Sequence, residues 1–161
     1  MSKCDIHLDV VSSKQGRIKG ESADASHADQ IEVLSFGWGG RAADMAGTAS
    51  GKRSYQELQV CKSVDCATTA LYSALANNET LSKVVLTVRK AGGEQLDYFT
   101  ITLEKARITS IATRSGQGDR PELLSEQVNF AFRKVSMEYK RQRSDGQLGG
   151  GFSFQDDISP P

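Results

Sequence analysis

The chain has 161 residues, of which 38% are hydrophobic, a size and composition typical of one folded domain. A chain of this length buries roughly 68–70% of the surface that it exposes when unfolded, so its core needs no disulfide or metal to hold it together. Its 20 basic and 20 acidic side chains give a formal net charge of zero, which argues against a dedicated nucleic-acid or membrane-surface binder.

Export and redox signals are absent from the sequence. The N-terminal stretch MSKCDIHLDVV lacks the apolar run of a signal peptide, and no segment has the ~20 apolar residues of a membrane-spanning helix. Cys4, Cys61 and Cys66 are odd in number and are not spaced as a disulfide framework. We expect a protein made in a reducing compartment, without membrane insertion, which leaves the cell, if it does, without a signal peptide.

Most segments are short runs of Val, Ile, Thr, Phe and Tyr between Gly, Asn and Asp, which is typical of β-strands. The clearest hairpin turns at Gly92 and Gly93, whose backbone freedom suits a tight turn, so its two strands are predicted to be antiparallel. In chain order, the predicted strands cover residues 5–11, 17–21, 30–38, 54–62, 83–90, 96–113, 126–140 and 152–155.

One helix is predicted at about 65–77. Its apolar residues recur at spacings of three and four, Ser63 or Asp65 can cap its start, and Asn77 and Asn78 can end it in a left-handed residue. The remaining sequence shows no repeat, so we expect one domain over residues 1–161 with a polar tail from about residue 144.

Two of the predicted strands carry apolar residues on both faces. Phe130 and Phe132 point to one side whereas Val135 and Tyr139 point to the other, and residues 31–38 show the same change. A strand with only one buried face keeps its apolar residues on that face. Either a bulge near residue 133 resets the register, or both faces are covered, as in a barrel that meets a helix or another subunit.

No catalytic, metal or cofactor site is predicted. The stretch MAGTASGKRS (45–54) resembles a phosphate-binding loop, but only three residues separate Gly47 from Gly51 and Arg53 stands where a hydroxyl is needed. Cys61 and Cys66 lack a finger-like partner, and no nucleophile signature accompanies the two histidines. The basic run at 133–143 lacks the several aromatic residues of a nucleic-acid surface and is better explained by a solvated strand end or a subunit contact.

Five segments together resemble the haemolysin-coregulated protein (Hcp) family of type VI secretion systems. The motif G-E-S with a downstream H-A-D-Q-I-E-V-L and the R-K-A-G-G hairpin are not generic β patterns, and the similarity runs from about residue 5 to 141. The segments are GESADASHADQIEVL (20–34), SFGW (35–38), LTVRKAGGE (86–94), YFTITL (98–103) and EQVNFAF (126–132).

The resemblance implies a mainly β fold, a compact antiparallel barrel of two sheets with one flanking helix and an extended loop at about 39–53. Members of the family form hexameric rings that stack into the inner tube of a contractile machine, which is expelled from the bacterium. The resemblance therefore implies a non-enzymatic tube subunit without cofactors, located in the bacterial cytoplasm during assembly and then secreted. Its partners would be other copies of itself, spike and sheath proteins, and effectors held in the ring lumen.

Two sets of residues are candidates for these contacts. The small residues of the 39–53 loop allow close backbone approach, so we expect this loop to become ordered when rings stack. The two-faced strands are the candidates for the lateral interface. The predicted stacking residues are Arg41, Asp44, Met45, Lys52 and Arg53, and the predicted lateral residues are Leu34, Phe36, Trp38, Phe130, Phe132 and Tyr139.

An alternative hypothesis is a stand-alone β-barrel binding module, either an effector chaperone or a nucleic-acid binder, that does not form a tube. A small β-barrel enzyme would also be compatible with the cysteine pair and the basic run, although no motif supports it.

Overall fold

The computed structural model describes residues 5–42, 53–89, 96–117, 119–142 and 148–158. One helix, α1, covers Thr68–Ala76. The strands in chain order are β1 (Ile6–Ser12), β2 (Gly16–Ile18), β3 (Ile31–Glu32), β4 (Ser35–Gly37), β5 (Gly40–Arg41), β6 (Ser54–Tyr55), β7 (Leu58–Ser63), β8 (Leu81–Arg89), β9 (Asp97–Gln117), β10 (Arg120–Ala131), β11 (Lys134–Gln142) and β12 (Leu148–Asp157).

The expected mainly β architecture is confirmed. Ten strands form one antiparallel sheet with the order β2-β1-β8-β9-β10-β7-β4, while β3 pairs with β1 and the β11–β12 hairpin joins at β9. β5 and β6 form a separate ribbon at the base of the predicted loop. Strand pairing among the described residues does not close this order into the continuous barrel that we expected.

The sheet has two halves because β9 changes partners along its length. β9 pairs with β11 up to Glu104 and with β8 up to Ala106, whereas from Arg107 onward it pairs with β10. Lys105 lies at the change and has a left-handed backbone with φ of 51°, which is uncommon for a residue with a side chain. This residue turns β9 from one half of the sheet into the other.

A second extended segment connects the two halves. The amide of Val33 donates to the carbonyl of Ile6 at 3.0 Å, and the amide of Leu34 donates to the carbonyl of Cys61 at 2.8 Å. β3 and β4 therefore lie against different halves of the sheet, and the predicted strand at residues 30–38 is broken into two short ones. The side-chain alternation changes face because the chain changes sheet.

The predicted strand at 126–140 is likewise two strands. β10 ends at Ala131 and pairs with β7 and β9, whereas β11 begins at Lys134 and pairs with β9 and β12. Phe132 and Arg133 connect them. The change of face, for which a bulge near residue 133 was one of two explanations, is therefore a crossing between the two halves. The predicted strand at 54–62 is divided too, into β6 and β7.

Between the halves lies a core that α1 covers on one side. Leu71 and Ala74 of α1 are buried, and Asn78 after the helix has the expected left-handed φ, 52°. Asp65 accepts a hydrogen bond from the amide of Ala67 at 3.0 Å, just before the first helical residue. Large core side chains with at most 1% exposure include Leu8, Ile31, Leu58, Leu86, Ile101, Leu103 and Phe130.

Part of the predicted polar tail is a strand. β12 pairs with β11 through Met137 opposite Phe154 and Tyr139 opposite Phe152. Residues 148–157 therefore belong to the sheet, and the short strand predicted at 152–155 extends further in both directions. The expectation of a single domain stays a prediction.

Candidate assembly interface

An aromatic cluster supports the β5–β6 ribbon, at the base of the loop predicted at about 39–53. Trp38 and Tyr55 stack with ring centroids 5.4 Å apart, and both approach Phe132, at 6.2 and 6.3 Å. Trp38 precedes β5, Tyr55 ends β6, and Phe132 lies on the crossing between the two halves of the sheet. The ribbon from which the loop emerges is thus packed on the edge of the core.

The same ribbon is tied to the last strand. The carboxylate of Asp156 accepts hydrogen bonds from Arg53 Nε and Nη2, each at 2.8 Å, and from the hydroxyl of Tyr55 at 2.6 Å. Arg53 Nη2 also donates to the carbonyl of Asp157 at 3.1 Å. Arg53 and Tyr55 stabilise the ionised carboxylate, so the pKa of Asp156 is well below its usual value.

These contacts bear on the predicted stacking residues. The guanidinium of Arg53 is engaged within its own subunit, by a bidentate ion pair of the geometry that arginine favours. Arg41, on the partner strand of the ribbon, is exposed. Asp44, Met45 and Lys52 lie outside the described residues. The stacking role of the set stays a prediction.

The predicted lateral residues are in three different environments. Phe130 is fully buried and Phe132 is 9% exposed, so both belong to the core of the subunit and are removed from its surface. Phe36 and Trp38 are partly buried against that core. Leu34 and Tyr139 are exposed, at 56% and 39%, and remain available to a partner. The sequence did not distinguish buried from exposed residues in this set. The chain crosses between the two halves of the sheet at residues 132–133, so the alternation along the sequence does not indicate which side chains are buried.

An exposed aromatic surface, which we call the hairpin face, lies on β11 and β12. Phe152 and Phe154 are 56% and 46% exposed, and Tyr139 packs against Phe152 with ring centroids 6.4 Å apart. The guanidinium carbon of Arg141 lies 5.8 Å from the centre of the Phe152 ring. Toward β9 this face continues into the core through Met137, which pairs with the buried Ile101. The hairpin face is therefore an apolar continuation of the core that this subunit leaves exposed.

The glycine and histidine of the G-E-S…H-A-D motif hold a loop closed. A Cβ on Gly20 would lie 2.5 Å from the carbonyl oxygen of Gln30 and 2.6 Å from the Cα of Ile31, so a side chain has no room. The ring of His27 contacts Gln30 Oε1 at 3.1 Å and Asp97 Oδ1 at 2.9 Å. This motif therefore positions β3. The spacing of its residues in the sequence did not indicate this structural role.

A buried ion pair lies beneath the helix. The side chains of Lys62 and Glu126 are both 0% exposed and contact each other directly, and Lys62 Nζ also lies 2.9 Å from Asp65. Glu126 accepts further hydrogen bonds from the hydroxyls of Thr68, at 2.8 Å, and Thr113, at 3.2 Å. These groups join α1 to both β7 and β10. Charge pairs of this kind occur in cores only when their hydrogen bonds are satisfied.

Comparison with known proteins identifies the family. A family model described as "Type VI secretion system effector, Hcp" matches residues 10–139. The chain belongs to the Hcp family. Protein hcp1 of Pseudomonas aeruginosa is 36% identical over 143 residues, which is 86% of this chain and 87% of that protein. This Hcp-family chain is therefore an Hcp-like tube subunit of a type VI secretion system.

Solved structures of Hcp-like proteins share the fold. A structure described as a type six secretion system protein has a TM-score of 0.82 at 25% identity and covers 95% of this chain and 96% of its own. A type VI secretion system effector from Yersinia pestis has a TM-score of 0.74 at 25% identity, covering 96% of this chain and 100% of its own. No helix in the described part of this Hcp-family chain is both long and apolar enough to cross a membrane.

Proposed function

We propose that this chain forms a hexameric ring, that the rings stack into the inner tube of the secretion machine, and that assembly rather than catalysis is its activity. In this proposal its partners are other copies of the chain, together with the spike and sheath proteins of the machine. It is made in the bacterial cytoplasm and leaves with the tube. The observation that supports this function best is the hairpin face.

The hairpin face has the properties of an interface between copies. Three aromatic side chains, Tyr139, Phe152 and Phe154, are about half exposed on adjacent strands. An apolar surface that continues directly from a core usually meets a partner, and aromatic residues are enriched at the centres of such contacts. In a closed ring the hairpin face of one subunit meets a different surface of the next, so every contact is equivalent. Each contact is expected to bury about 800 Å² per partner.

The number of chains in the purified protein tests the proposal. Sedimentation velocity at several concentrations, with negative-stain images of the same sample, is expected to show a species of about six chains with an open centre. Phe152→Ser is expected to weaken each contact by about 2 kcal/mol and so to dissociate the ring on dilution. Tyr72→Ser, on the exposed side of α1 away from the hairpin face, is the matched control and should leave the ring intact.

Two results would count against the ring. A monomer at all concentrations would contradict it and favour a stand-alone binding module. A ring that is as stable in Phe152→Ser as in the parent protein would leave the hexamer in place but remove the hairpin face from the lateral contact.

The ring lumen would also hold small effectors before export. Co-expression of a candidate effector with the parent chain and with Phe152→Ser tests this second part. Protection of the effector from proteolysis is expected only where rings form. Equal protection by the monomeric variant would show that the chain shelters cargo without a lumen.

A further inference from the structure

A cationic cavity, outside the hairpin face, lies where β9 turns between the halves of the sheet. It has a volume of about 390 Å³, with Ala106, Ala131 and Phe132 among its lining residues. Its charged lining residues are Lys105, Arg107 and Arg133, and all three are exposed.

The three cations of this cavity are held close together by the backbone. Lys105 has a left-handed φ of 51°, and the amide of Arg133 donates to the carbonyl of Glu104 at 3.3 Å. The guanidinium of Arg107 donates to the side-chain oxygen of Asn78, at 3.4 Å. None of the three forms an ion pair with a carboxylate in the described part of the chain. A strained residue and unpaired like charges around a cavity are features that a binding site explains.

A surface of opposite character lies at the other end of the same half of the sheet. Leu34 is 56% exposed and lines a smaller cavity, of about 160 Å³, with Val64 and three carboxylates. Of these, Glu21 and Glu32 are exposed, whereas Asp65 is paired with the buried Lys62. We call this surface the acidic rim.

The two surfaces lie at opposite ends of β10. The acidic rim is beside Leu124, whose carbonyl accepts from the amide of Val64, whereas the cationic cavity begins at Ala131. At the usual rise along a strand, these residues are roughly 20 Å apart. One subunit therefore cannot bring its own rim to its own cavity. Two copies that are shifted relative to each other along the strand direction can place the rim of one against the cavity of the other.

We infer that the cationic cavity receives the acidic rim of a second copy of this chain, with Leu34 entering the apolar floor of Ala106, Ala131 and Phe132. The carboxylates of Glu21 and Glu32 then face the cations around the cavity. Opposite charges orient the contact, and the apolar side chain supplies the buried area at its centre. Because one end meets the other, the contact is head to tail and repeats from copy to copy. This inference rests on the proposed function, since it names a contact through which the assembly forms.

Reversing the charges tests the contact in a way that a general loss of folding cannot imitate. One variant, Arg107→Glu with Arg133→Glu, makes the cavity acidic, and a second, Glu21→Arg with Glu32→Arg, makes the rim basic. Each alone is expected to require about tenfold or more higher concentration for assembly, because like charges then meet. Mixed together, they should assemble as alternating copies, since every cavity then faces a rim of opposite charge.

The control variant reverses two exposed lysines elsewhere, Lys14→Glu with Lys83→Glu, and should assemble like the parent chain. Sedimentation velocity measures the rings, and negative-stain images count the tubes, each at low and high salt. Loss of assembly by the cavity and rim variants, with recovery on mixing and a smaller effect at high salt, would support the contact.

Other outcomes overturn the inference. If the parent chain forms rings and tubes and both reversed variants do so equally well, the contact is wrong while the proposed function stands. If the variants fail singly and also fail when mixed, the charges do not pair with each other and the contact is again wrong. If the parent chain itself stays monomeric, the proposed function fails and this inference fails with it.

Discussion

His7 and His27 stack face to face, with ring centroids 4.4 Å apart and ring planes inclined by 8°. His7 is on β1 and His27 is in the loop that begins at Gly20, so the stacked pair fastens this loop to the sheet. His7 is 1% exposed, and its Nδ1 has no hydrogen-bond partner among the described residues. His27 is instead positioned by Gln30 and Asp97.

Acid is expected to destabilise the protein through His7. Burial lowers the pKa of His7 below its ordinary value of 6.5, the nearby His27 and Arg89 lower it further, and Asp24 and Asp97 oppose the shift. Below pH 6.5 the unfolded chain binds a proton that the folded chain resists. The stabilisation is therefore complete above pH 6.5 and is lost as the pH falls toward the folded pKa.

Replacement of His7 removes this titration and keeps the stacked ring. In His7→Phe, the free energy of unfolding from urea titrations is expected to fall less between about pH 7.5 and about pH 5.5 than in the parent chain. His27→Phe, which loses the contacts with Gln30 and Asp97, should cost about 1–3 kcal/mol already at neutral pH. An unchanged pH dependence in His7→Phe would assign the acid sensitivity to other groups.

Gly20 is expected to tolerate no side chain. In Gly20→Ala the new methyl group would lie 2.5 Å from the carbonyl oxygen of Gln30, a backbone atom that cannot move alone. We expect a loss of about 1–3 kcal/mol in the free energy of unfolding. Gly37→Ala is the control, because a Cβ there meets nothing within 4 Å. Equal stability of the two variants would show that the loop relaxes at little cost.

The buried Lys62 and Glu126 are expected to be sensitive to loss of either partner. Lys62→Met leaves a buried carboxylate without its cation, which should cost about 3–5 kcal/mol in the free energy of unfolding. Lys83→Met, at an exposed lysine of β8, should change it by less than about 0.5 kcal/mol. The double variant Lys62→Met/Glu126→Leu should recover most of the loss, whereas additive losses would show that the two charges do not act as a pair.

Asp156 is expected to hold the β5–β6 ribbon in place. Asp156→Asn removes the charge that Arg53 and Tyr55 contact, so the amides of residues 54–56 should exchange hydrogen faster than in the parent chain. The control is Asp119→Asn, an exposed carboxyl beside the β9–β10 turn. Unchanged exchange in Asp156→Asn would mean that the aromatic packing of Trp38 and Tyr55 is sufficient to hold the ribbon.

Acidification should loosen the same contact in the parent chain. The ion pair keeps the pKa of Asp156 below its ordinary value of 3.8, so its stabilisation is complete above that value and is lost as the pH falls toward the folded pKa. Faster exchange at 54–56 is expected only in that acidic range. His7 instead acts near neutral pH, which separates the two effects.

The sequence alone determined the family, the mainly β composition, the one helix and its left-handed end at Asn78, because these depend on local patterns of residue type. It also predicted that β8 and β9 are antiparallel, and Val84 lies opposite Leu103 in that pair, whereas the turn predicted at Gly92 and Gly93 lies outside the described residues. The tertiary structure decided which apolar residues are inside. Phe130 and Tyr139 lie on one predicted strand, but the chain crosses between the halves of the sheet at residues 132–133, so the first is core and the second is surface. A two-residue alternation in the sequence specifies opposite faces but does not say which face another strand will cover, because that depends on partners distant in the chain.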